Sequence, residues 1–354
     1  MRAPVVVLSG GTSRERRVSV ASAQHLVEVL AEREDATRWW FWTPEGAVVE
    51  HAASELAAHA RPFESDFAPA GDGHGWASID AALDSLAASA PDAVILLALH
   101  GGDGENGAVQ AALEERRLAF TASGSEASRL AFDKDGARSA VHRVGVNVAE
   151  AVTFDPLDGG TWEAVRALQI THGQVVLKPV ADGSSFGLRF VTDTDDLMPA
   201  LEELAELPEP VFHLAERYVE GRELTVGVME GLDGEVSALP PSEVLVEGAA
   251  FDFDAKYLGR GALEITPADL DDGLREAVQQ VALKAHEALG CEGYSRTDVI
   301  VEADGSVVFL ETNTLPGLTK ASFIPQQLAA AGIPIGDFLD AQLDLAVRRR
   351  DHPR

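Results

Sequence analysis

Short apolar runs alternate with amphipathic stretches in the first third of the chain. Residues 5–8 and 93–99 are continuous apolar runs, which is typical of parallel strands that are buried on both faces. Each run ends in a glycine-rich turn, and a helix-like stretch follows, the first over about residues 14–33. This order of strand, turn and helix predicts an open parallel α/β sheet, which binds ligands at the carboxyl ends of its strands.

The same periodicities assign elements to the rest of the chain. Residues 51–92 carry little signal, apart from a helix expected near 79–88. The other predicted elements are strands at 39–42, 174–178, 212–219 and 224–229, an amphipathic helix at 274–289 and a terminal helix at 334–350.

The strongest local signal is a pair of apolar runs, residues 299–301 and 307–310, on either side of Asp304 and Gly305. An Asp-Gly pair between two such runs predicts a hairpin. A two-residue turn then sets the facing pairs, and a four-residue loop gives the same register. The predicted pairs are Ala303 with Ser306, Val299 with Leu310, Asp298 with Glu311, and Arg296 with Asn313.

This register gives the open end of the hairpin a chemical character. Since side chains alternate along a strand, Arg296, Asp298, Glu311 and Asn313 share one face. Two opposed carboxylates beside an amide oxygen suit a hard cation, and Mg²⁺ takes one or two carboxylates plus substrate phosphates. Arg296 could bind those phosphates or a developing oxyanion. The alternative is a hairpin end with solvated charges, in which Arg296 neutralises one acid.

Two residues of the first sheet are candidates for binding a substrate. Glu15 lies in the first turn of the first predicted helix, where its carboxylate suits a ligand ammonium or simply interacts with the helix dipole. His100 follows the second apolar run, with Glu105 able to orient it. A structural histidine is the alternative, but its place at the carboxyl end of a central strand favours function.

Lysine is rare in this chain, so each lysine is informative. Lys178 ends a predicted strand and precedes a small loop at 182–187 that is rich in glycine and serine. Backbone N–H groups and hydroxyls of such a loop can bind triphosphate oxygens beside an ammonium, although the Walker A pattern is absent. Lys134 lies in a helical stretch, where a solvated lysine is the alternative. The five lysines are Lys134, Lys178, Lys256, Lys284 and Lys320.

Composition narrows the function classes. At 354 residues, with 46% of them hydrophobic, the chain can form two or three domains with their own cores. The net charge of −30 argues against nonspecific binding to nucleic acid or acidic membranes. No apolar run approaches the roughly 20 residues that span a bilayer. Without a charged leader before a longer apolar core, we expect a cytoplasmic protein, and the single cysteine, Cys291, excludes an internal disulfide.

Six segments, in this order, resemble the ATP-grasp superfamily and, within it, the D-alanine–D-alanine ligases. They are GGTSRERRVS (10–19), LHGGDGENGAVQ (99–110), KPVADGSSFG (178–187), ERYVEGRELT (216–225), FDAKY (253–257) and RTDVIVEADGSVVFLETNTLPGLT (296–319). The resemblance implies an α/β and α+β fold with three lobes. These are an N-terminal α/β substrate domain (1–122), a central ATP-grasp lobe (123–217) and a C-terminal lobe (218–354) with the metal and second-substrate site.

The resemblance also implies residues that bind ATP and its metal ions. The phosphates would be bound by Lys134 and Lys178, with Ser184, Ser185 and Gly187 in the loop over them. The nucleoside would be bound by Glu216, Arg217 and Val219 at the adenine edge and by Glu223 at the ribose. Two Mg²⁺ ions, with Mn²⁺ as an alternative, would be bound by Asp298, Glu311 and Asn313.

The substrate groups follow in the same way. Glu15, near His100, would receive the ammonium of a first D-alanine, and Arg296 and the Gly317 N–H would stabilise the tetrahedral intermediate. The carboxylate of a second D-alanine would meet Ser322 and Lys256. A loop at 251–257 would close over the site. In the family, a tyrosine at the position of Tyr257, hydrogen-bonded towards Ser184 and Glu15, accompanies dipeptide formation. Phe323 replaces a usual leucine beside the second-substrate site, so it bears on the choice of second substrate.

The implied activity is ATP-dependent formation of D-alanyl-D-alanine through an acyl phosphate, for peptidoglycan precursors. The partners would be small molecules, with no nucleic acid and no membrane. Because members of the family are often dimeric, the resemblance implies a homodimer through the N-terminal lobe. Three alternatives stay open. They are a ligase with another acceptor such as D-lactate or D-serine, a nucleotide-binding regulator without catalysis, and a dinucleotide-dependent oxidoreductase, which only the first glycine turn suggests and which lacks GxGxxG.

Overall fold

The structure is a computed structural model that describes residues 3–31, 37–68, 73–181, 187–207, 211–246 and 262–352. Several predicted features lie outside these ranges. They are Ser184 and Ser185 of the glycine-serine loop, and the loop at 251–257 with Lys256 and Tyr257.

The secondary structure alternates strands and helices in the first third and becomes strand-rich later. The strands are β1 (Val5–Gly10), β2 (Thr37–Trp42), β3 (Val48–His51), β4 (His74–Trp76), β5 (Val94–Leu97), β6 (Ala119–Phe120), β7 (Asn147–Val148), β8 (Ala151–Phe154), β9 (Val175–Pro179), β10 (Arg189–Val191), β11 (His213–Arg217), β12 (Arg222–Glu230), β13 (Val236–Ala238), β14 (Ser242–Val246), β15 (Ala262–Ile265), β16 (Tyr294–Val301) and β17 (Val307–Asn313).

The α-helices of the described ranges include every helix that the periodicity predicts. They are α1 (Arg16–Ala31), α2 (Ala53–Ala58), α3 (Ile79–Ser89), α4 (Ala108–Glu115), α5 (Ser125–Phe132), α6 (Lys134–Arg143), α7 (Gly159–His172), α8 (Thr194–Ala205), α9 (Asp272–Ala288), α10 (Phe323–Ala330) and α11 (Ile335–Asp351). In the part of the chain that the structure describes, none is long and apolar enough to cross a membrane.

The first sheet confirms the predicted open α/β arrangement, but it is mixed rather than wholly parallel, because β3 pairs antiparallel with both β2 and β4. Its strand order is β4-β3-β2-β1-β5-β6, and β1 pairs in parallel with both β2 and β5. Every residue of β1 and β5 is buried, as their uninterrupted apolar sequence requires in a sheet covered on both faces. The carboxyl ends of these two central strands lead to Glu15 and His100.

The second sheet is a small antiparallel layer in the order β10-β9-β11-β8. Val165 and Leu168 of α7 and Leu197 and Leu201 of α8 form a core with the sheet. Strand β9 pairs with β11 so that Lys178 lies opposite Leu214. This layer therefore positions the predicted phosphate lysine beside the strand that carries Glu216.

The third sheet contains the hairpin of β16 and β17 and has the order β15-β14-β12-β16-β17-β7, with β13 on β12. Asp298 pairs with Glu311 and Arg296 with Asn313, so the predicted face at the open end is confirmed. The pairs nearer the turn are wrong, because Val299 pairs with Phe309 rather than with Leu310.

Two departures from the predicted hairpin cancel each other. The turn has three residues rather than two, since Glu302 N–H bonds to the Ser306 carbonyl and Gly305 N–H to the Glu302 carbonyl. Gly305 has φ +87°, which closes a three-residue loop of this kind. Ser306 therefore faces Glu302 instead of Ala303. The register shifts back between Asp298 and Val299, where Leu310 is the extra residue of a β-bulge.

The lobes are joined by helices that pack across them. Ala137 and Val141 of α6 share a core with Ala285 of α9 and Phe309 of β17, and β7 pairs with β17. Residues 125–148 therefore pack on the third sheet rather than on the second. Helix α11 packs on β6 of the first sheet. The domain boundaries at 122 and 217 stay predictions.

Candidate active site

A cleft lies where α1, the start of α6, the open end of the hairpin and the loop before α10 meet. Ten of the predicted site residues line it: Glu15, Lys134, Glu223, Arg296, Asp298, Glu311, Asn313, Gly317, Ser322 and Phe323. These residues come from parts of the chain that are up to about 300 positions apart, and they are half of the twenty site residues that the sequence predicts. The predicted residues in the described ranges that do not line this cleft are His100, Lys178, Gly187, Glu216, Arg217 and Val219.

The two opposed carboxylates are each neutralised by a cation. Asp298 accepts hydrogen bonds from Arg296 Nε at 2.9 Å and Nη2 at 2.7 Å, and from Thr225 Oγ1 at 2.5 Å. Lys134 Nζ lies 3.5 Å from Glu311 Oε2. These contacts offset the repulsion between acids that face each other across the hairpin. Sequence reasoning missed Thr225, which lies opposite Asp298 on β12.

The donor set at the hairpin end suits a hard divalent cation. Asp298 and Glu311 are carboxylates on one face, and Asn313 adds an amide oxygen, which accepts the N–H of Leu315 at 2.8 Å. No group of three or more His, Cys, Asp or Glu side chains in the described ranges could hold a metal. Two protein carboxylates with further oxygens from phosphate are what Mg²⁺ usually takes, so the residues fit Mg²⁺ bound together with a nucleotide.

A buried ionic cluster lies around Lys178. Its Nζ is 2.5 Å from Glu216 Oε2, and Arg138 Nε is 2.8 Å from Glu216 Oε1, though without the direction of a hydrogen bond. Glu216 is 5% exposed and Arg138 7%. Arg138 was not predicted, although it lies one helical turn after Lys134 and therefore on the same face of α6.

The other predicted nucleotide residues lie near this cluster or beyond it. Arg217 pairs with Glu302 at 3.0 Å, and Val219 is buried against Ala149 and Val308. Gly187 is the one residue of the glycine-serine loop within the described ranges and has φ +74°. Their roles toward ATP stay predictions.

At the first sheet, a hydroxyl joins the two loops that carry Glu15 and His100. Ser13 Oγ donates to the His100 carbonyl at 2.5 Å and accepts the Glu15 N–H at 3.2 Å. The His100 ring is buried and its Nε2 lies 3.0 Å from Ser22 Oγ. Its Nδ1 is 3.7 Å from Glu105 Oε1, beyond hydrogen-bond reach. Ser22 therefore orients the ring, and Glu105 instead lines the cleft.

The close approach between these two loops depends on a glycine. Gly101 has φ +67°, and a Cβ at this position would lie 2.4 Å from Glu15 Oε2. A side chain would therefore push the carboxylate out of its place. This geometry explains why the residue after His100 is glycine.

The loop that leaves the hairpin folds back onto the start of α10. Ser322 Oγ accepts the Thr319 N–H at 3.1 Å and lies 2.8 Å from Thr319 Oγ1. A Cβ on Gly317 would lie 2.6 Å from Ser322 Oγ. Gly317 and Ser322 are therefore neighbours, as a shared substrate site requires.

A further carboxylate lines the cleft that sequence reasoning did not single out. Glu264 of β15 accepts a hydrogen bond from Gln326 Nε2 at 2.7 Å. Burial raises the pKa of Glu264, and the hydrogen bond from Gln326 and the charge of Arg296 oppose the rise. The alternation of β15 was too short to reveal which of its side chains face the cleft.

The comparisons with known proteins agree along the chain. The family model described as D-ala D-ala ligase N-terminus matches residues 4–123, and the one described as D-ala D-ala ligase C-terminus matches residues 141–344. A curated D-alanine–D-alanine ligase of Gluconobacter oxydans is 34% identical over 346 residues, which cover 98% of this chain and 99% of the relative.

Solved structures show the same fold. The VanG D-Ala:D-Ser ligase of Enterococcus faecalis superposes with a TM-score of 0.79 at 24% identity, over 98% of this chain and all of that one. The D-alanine–D-alanine ligase of Bacillus anthracis complexed with ATP superposes with a TM-score of 0.73 at 24% identity, over the whole length of both chains. The fold is thus shared by ligases named for different acceptors.

Proposed function

Because this chain belongs to the D-alanine–D-alanine ligase family, we propose that it joins two D-alanine molecules with ATP to form D-alanyl-D-alanine. The products besides the dipeptide are ADP and phosphate. The dipeptide would supply peptidoglycan precursor synthesis. The dinucleotide-dependent oxidoreductase has no support from these relatives.

The observation that carries the proposal is the hairpin end in the cleft. Asp298, Glu311 and Asn313 face one way, with Arg296 and Lys134 beside them. This is an oxygen-rich cation site next to two positive charges. Such a site suits a nucleotide triphosphate and the negative charge that develops when its terminal phosphoryl group is transferred.

In the first half of the reaction, one D-alanine acts as the donor of the acyl group. Glu15 binds its ammonium, and its carboxylate attacks the γ-phosphorus of ATP to give an acyl phosphate and ADP. Lys134 and Lys178 offset the charge on the phosphates. When bound, Mg²⁺ at Asp298, Glu311 and Asn313 supplies charge neutralisation to the phosphoryl group. The protein's contribution is therefore positioning and electrostatics.

In the second half, the other D-alanine acts as the acceptor. Ser322 and Lys256 bind its carboxylate, and its amine attacks the acyl carbon. Arg296 and the Gly317 N–H stabilise the tetrahedral intermediate, and phosphate leaves as the peptide bond forms. The loop at 251–257 would exclude water, which would otherwise hydrolyse the acyl phosphate.

A ligase for another acceptor is the second candidate. Phe323 at the start of α10 lines the cleft beside Ser322, where a bulky ring alters the space for the acceptor. We favour D-alanine because of Tyr257 and because the curated relative is named for it. A cytoplasmic location, a homodimer and use of Mn²⁺ stay predictions.

Phosphate release from ATP and Mg²⁺ tests the proposal, with D-alanine, L-alanine or D-alanine plus D-lactate as substrates and products identified by mass. Release with D-alanine alone, with the dipeptide as product, supports it. Release only with another acceptor would reassign the second substrate and keep the ligase chemistry. No release with any of them would leave a nucleotide-binding protein without catalysis.

A further inference from the structure

We propose that Glu264 binds the ammonium of the acceptor amino acid and so selects an amine over a hydroxy acid as second substrate. The inference rests on the proposed ligase function. It adds a residue of β15 to the acceptor site, which the family resemblance had built from Ser322, Lys256, Arg296 and Gly317 alone.

The position of Glu264 follows from its contact with α10. Gln326 lies one helical turn after Ser322, and its Nε2 donates both to Glu264 Oε2 and to the Ala321 carbonyl, at 2.7 Å each. The Glu264 carboxylate is therefore held at the first turn of α10, where Ser322 and Phe323 line the same cleft.

The acceptor amino acid itself carries a positive group, its ammonium, which calls for a negative partner in the cleft. An α-amino acid binds as a zwitterion, so a molecule with its carboxylate at Ser322 presents its ammonium on the side of the acyl carbon near Arg296. The neutral amine that attacks forms when this ammonium loses a proton to water or to the departing phosphate. Glu264 lines the same cleft as Ser322 and Arg296, and the charge of Arg296 lowers the pKa of its carboxyl. Arg296 itself makes two hydrogen bonds to Asp298, so much of its charge is already compensated.

The carboxylate is also one that gains from a cationic ligand. Burial raises the pKa of Glu264 because the ionised form loses hydration, and the Gln326 hydrogen bond offsets this only in part. An ammonium in contact with the carboxylate would replace the lost hydration with a charge-assisted hydrogen bond. A hydroxyl at the same position, as in D-lactate, brings no charge.

A chain of hydrogen bonds, partly buried near the carboxylate and buried further from it, holds the carboxylate in place. Thr266 Oγ1 donates to Gln326 Oε1 at 3.1 Å and lies 2.6 Å from Ser242 Oγ. Gln327 Nε2 donates to Ser242 Oγ at 3.0 Å and to the Thr225 carbonyl at 2.9 Å. These contacts join β15, β14, β12 and α10. A side chain fixed in this way is suited to recognition, because little freedom is lost when a ligand binds.

The test compares three variants with the wild type in steady-state kinetics. Glu264→Gln keeps the shape and removes the charge, Glu264→Asp keeps the charge, and Asp269→Asn removes one charge from the same segment outside the cleft. Saturation curves at fixed ATP give separate values of kcat/KM for donor and for acceptor D-alanine. The ratio of D-alanyl-D-lactate to D-alanyl-D-alanine in mixed substrates comes from mass spectrometry.

For Glu264→Gln we expect a loss in kcat/KM for the acceptor of roughly 10- to 100-fold, the usual worth of a hydrogen bond to a charged group. The kcat/KM for donor D-alanine should stay within about twofold of the wild-type value. The ratio of D-alanyl-D-lactate to D-alanyl-D-alanine should increase. Glu264→Asp should recover part of the loss, and Asp269→Asn should behave as the wild type.

Two results would overturn the inference without touching the ligase function. One is an active Glu264→Gln enzyme with an unchanged kcat/KM for acceptor D-alanine. The other is a loss that affects donor and acceptor equally, with the Asp variant no better, as a merely structural role would give. Failure of the wild type to form any dipeptide would instead remove the proposed function itself.

Discussion

At the scale of single residues, the site depends on opposite charges that lie close together and compensate each other. Asp298 and Glu311 face each other on the hairpin, and Arg296 and Lys134 offset their repulsion. Removing one of these groups therefore changes the charge balance at the reacting centre more than it changes the core. Activity, rather than folding, should respond to substitutions here.

The first prediction concerns Glu311→Gln. Loss of the carboxylate removes a proposed metal ligand, so kcat should fall by about 10²- to 10³-fold or more. The free energy of unfolding should stay within about 0.5 kcal/mol of the wild type, since the side chain is partly exposed and faces another acid. Phosphate release and chemical denaturation measure the two effects.

Asp304→Asn is the matched control, because it removes one charge from the exposed turn of the same hairpin. It should leave turnover unchanged. Near-normal turnover in Glu311→Gln would contradict the metal-ligand role of the hairpin end.

A second prediction concerns Gly101→Ala. The new Cβ would meet Glu15 Oε2 at 2.4 Å, so Glu15 must move and the constant for donor D-alanine should rise by about tenfold or more, the worth of a lost charge-assisted hydrogen bond. Gly145→Ala is the control, since Gly145 also has a positive φ, of +80°, but its Cβ would meet nothing within 4 Å.

Both alanines occupy left-handed backbone and should each lower the free energy of unfolding by about 1–2 kcal/mol. Only Gly101→Ala should affect donor binding. Equal kinetics in the two variants would show that Glu15 does not bind the donor.

At the scale of elements, α10 carries two neighbouring glutamines that connect strands around the proposed acceptor site. Gln327 is fully buried, accepts the Gly227 N–H at 2.8 Å and donates to the Thr225 carbonyl. Gln326 bonds instead to Glu264, which lines the cleft. The helix therefore links the strand that supports Asp298 to the strand that carries Glu264.

The third prediction follows from that link. Gln327→Ala leaves the Gly227 N–H buried without its partner, so the free energy of unfolding should fall by about 1–3 kcal/mol. The KM for acceptor D-alanine should rise as well, because β12 and α10 lose their shared contacts. Thermal unfolding and D-alanine saturation curves measure both effects.

Gln342→Ala provides the comparison. Gln342 of α11 is also buried and donates to the Glu230 carbonyl at 3.2 Å, but it lies away from the acceptor site. We expect a similar loss of stability with an unchanged acceptor constant. If both variants raised that constant alike, the effect would belong to general destabilisation.

At the scale of the whole molecule, the N-terminal sheet and the C-terminal helix share one core. Phe338 and Leu343 of α11 belong to the same buried cluster as Leu118 and Phe120, and Arg349 donates to the Phe120 and Ala122 carbonyls. Helix α11 is therefore held to the first sheet by apolar burial as well as by hydrogen bonds, in a chain with a net charge of −30.

That charge leads to a fourth prediction. Like charges destabilise the compact state, and raising NaCl from about 0.05 to 0.5 M shortens the screening length from roughly 14 to 4 Å. The melting temperature should therefore rise by about 2 °C or more. Choline chloride should give the same rise, since screening does not depend on the cation. A fall, or a rise with NaCl alone, would contradict this account.

The sequence by itself determined the elements and the character of the site. Strand and helix periods are local, so β1, β5 and the hairpin were predictable from residues a few positions apart. The face shared by Asp298 and Glu311 was predictable for the same reason. Family motifs added the ligase function, and the substrate and metal roles that they imply for individual residues stay predictions.

Only the tertiary structure decided how that face is reached and what surrounds it. The extra residue in the turn and the bulge at Leu310 cancel, which depends on backbone conformation rather than on side-chain pattern. Arg138, Thr225 and Glu264 were missed because their partners Glu216, Asp298 and Gln326 lie tens of residues away. Contacts of this range are set by how the sheets pack, and no local period records them.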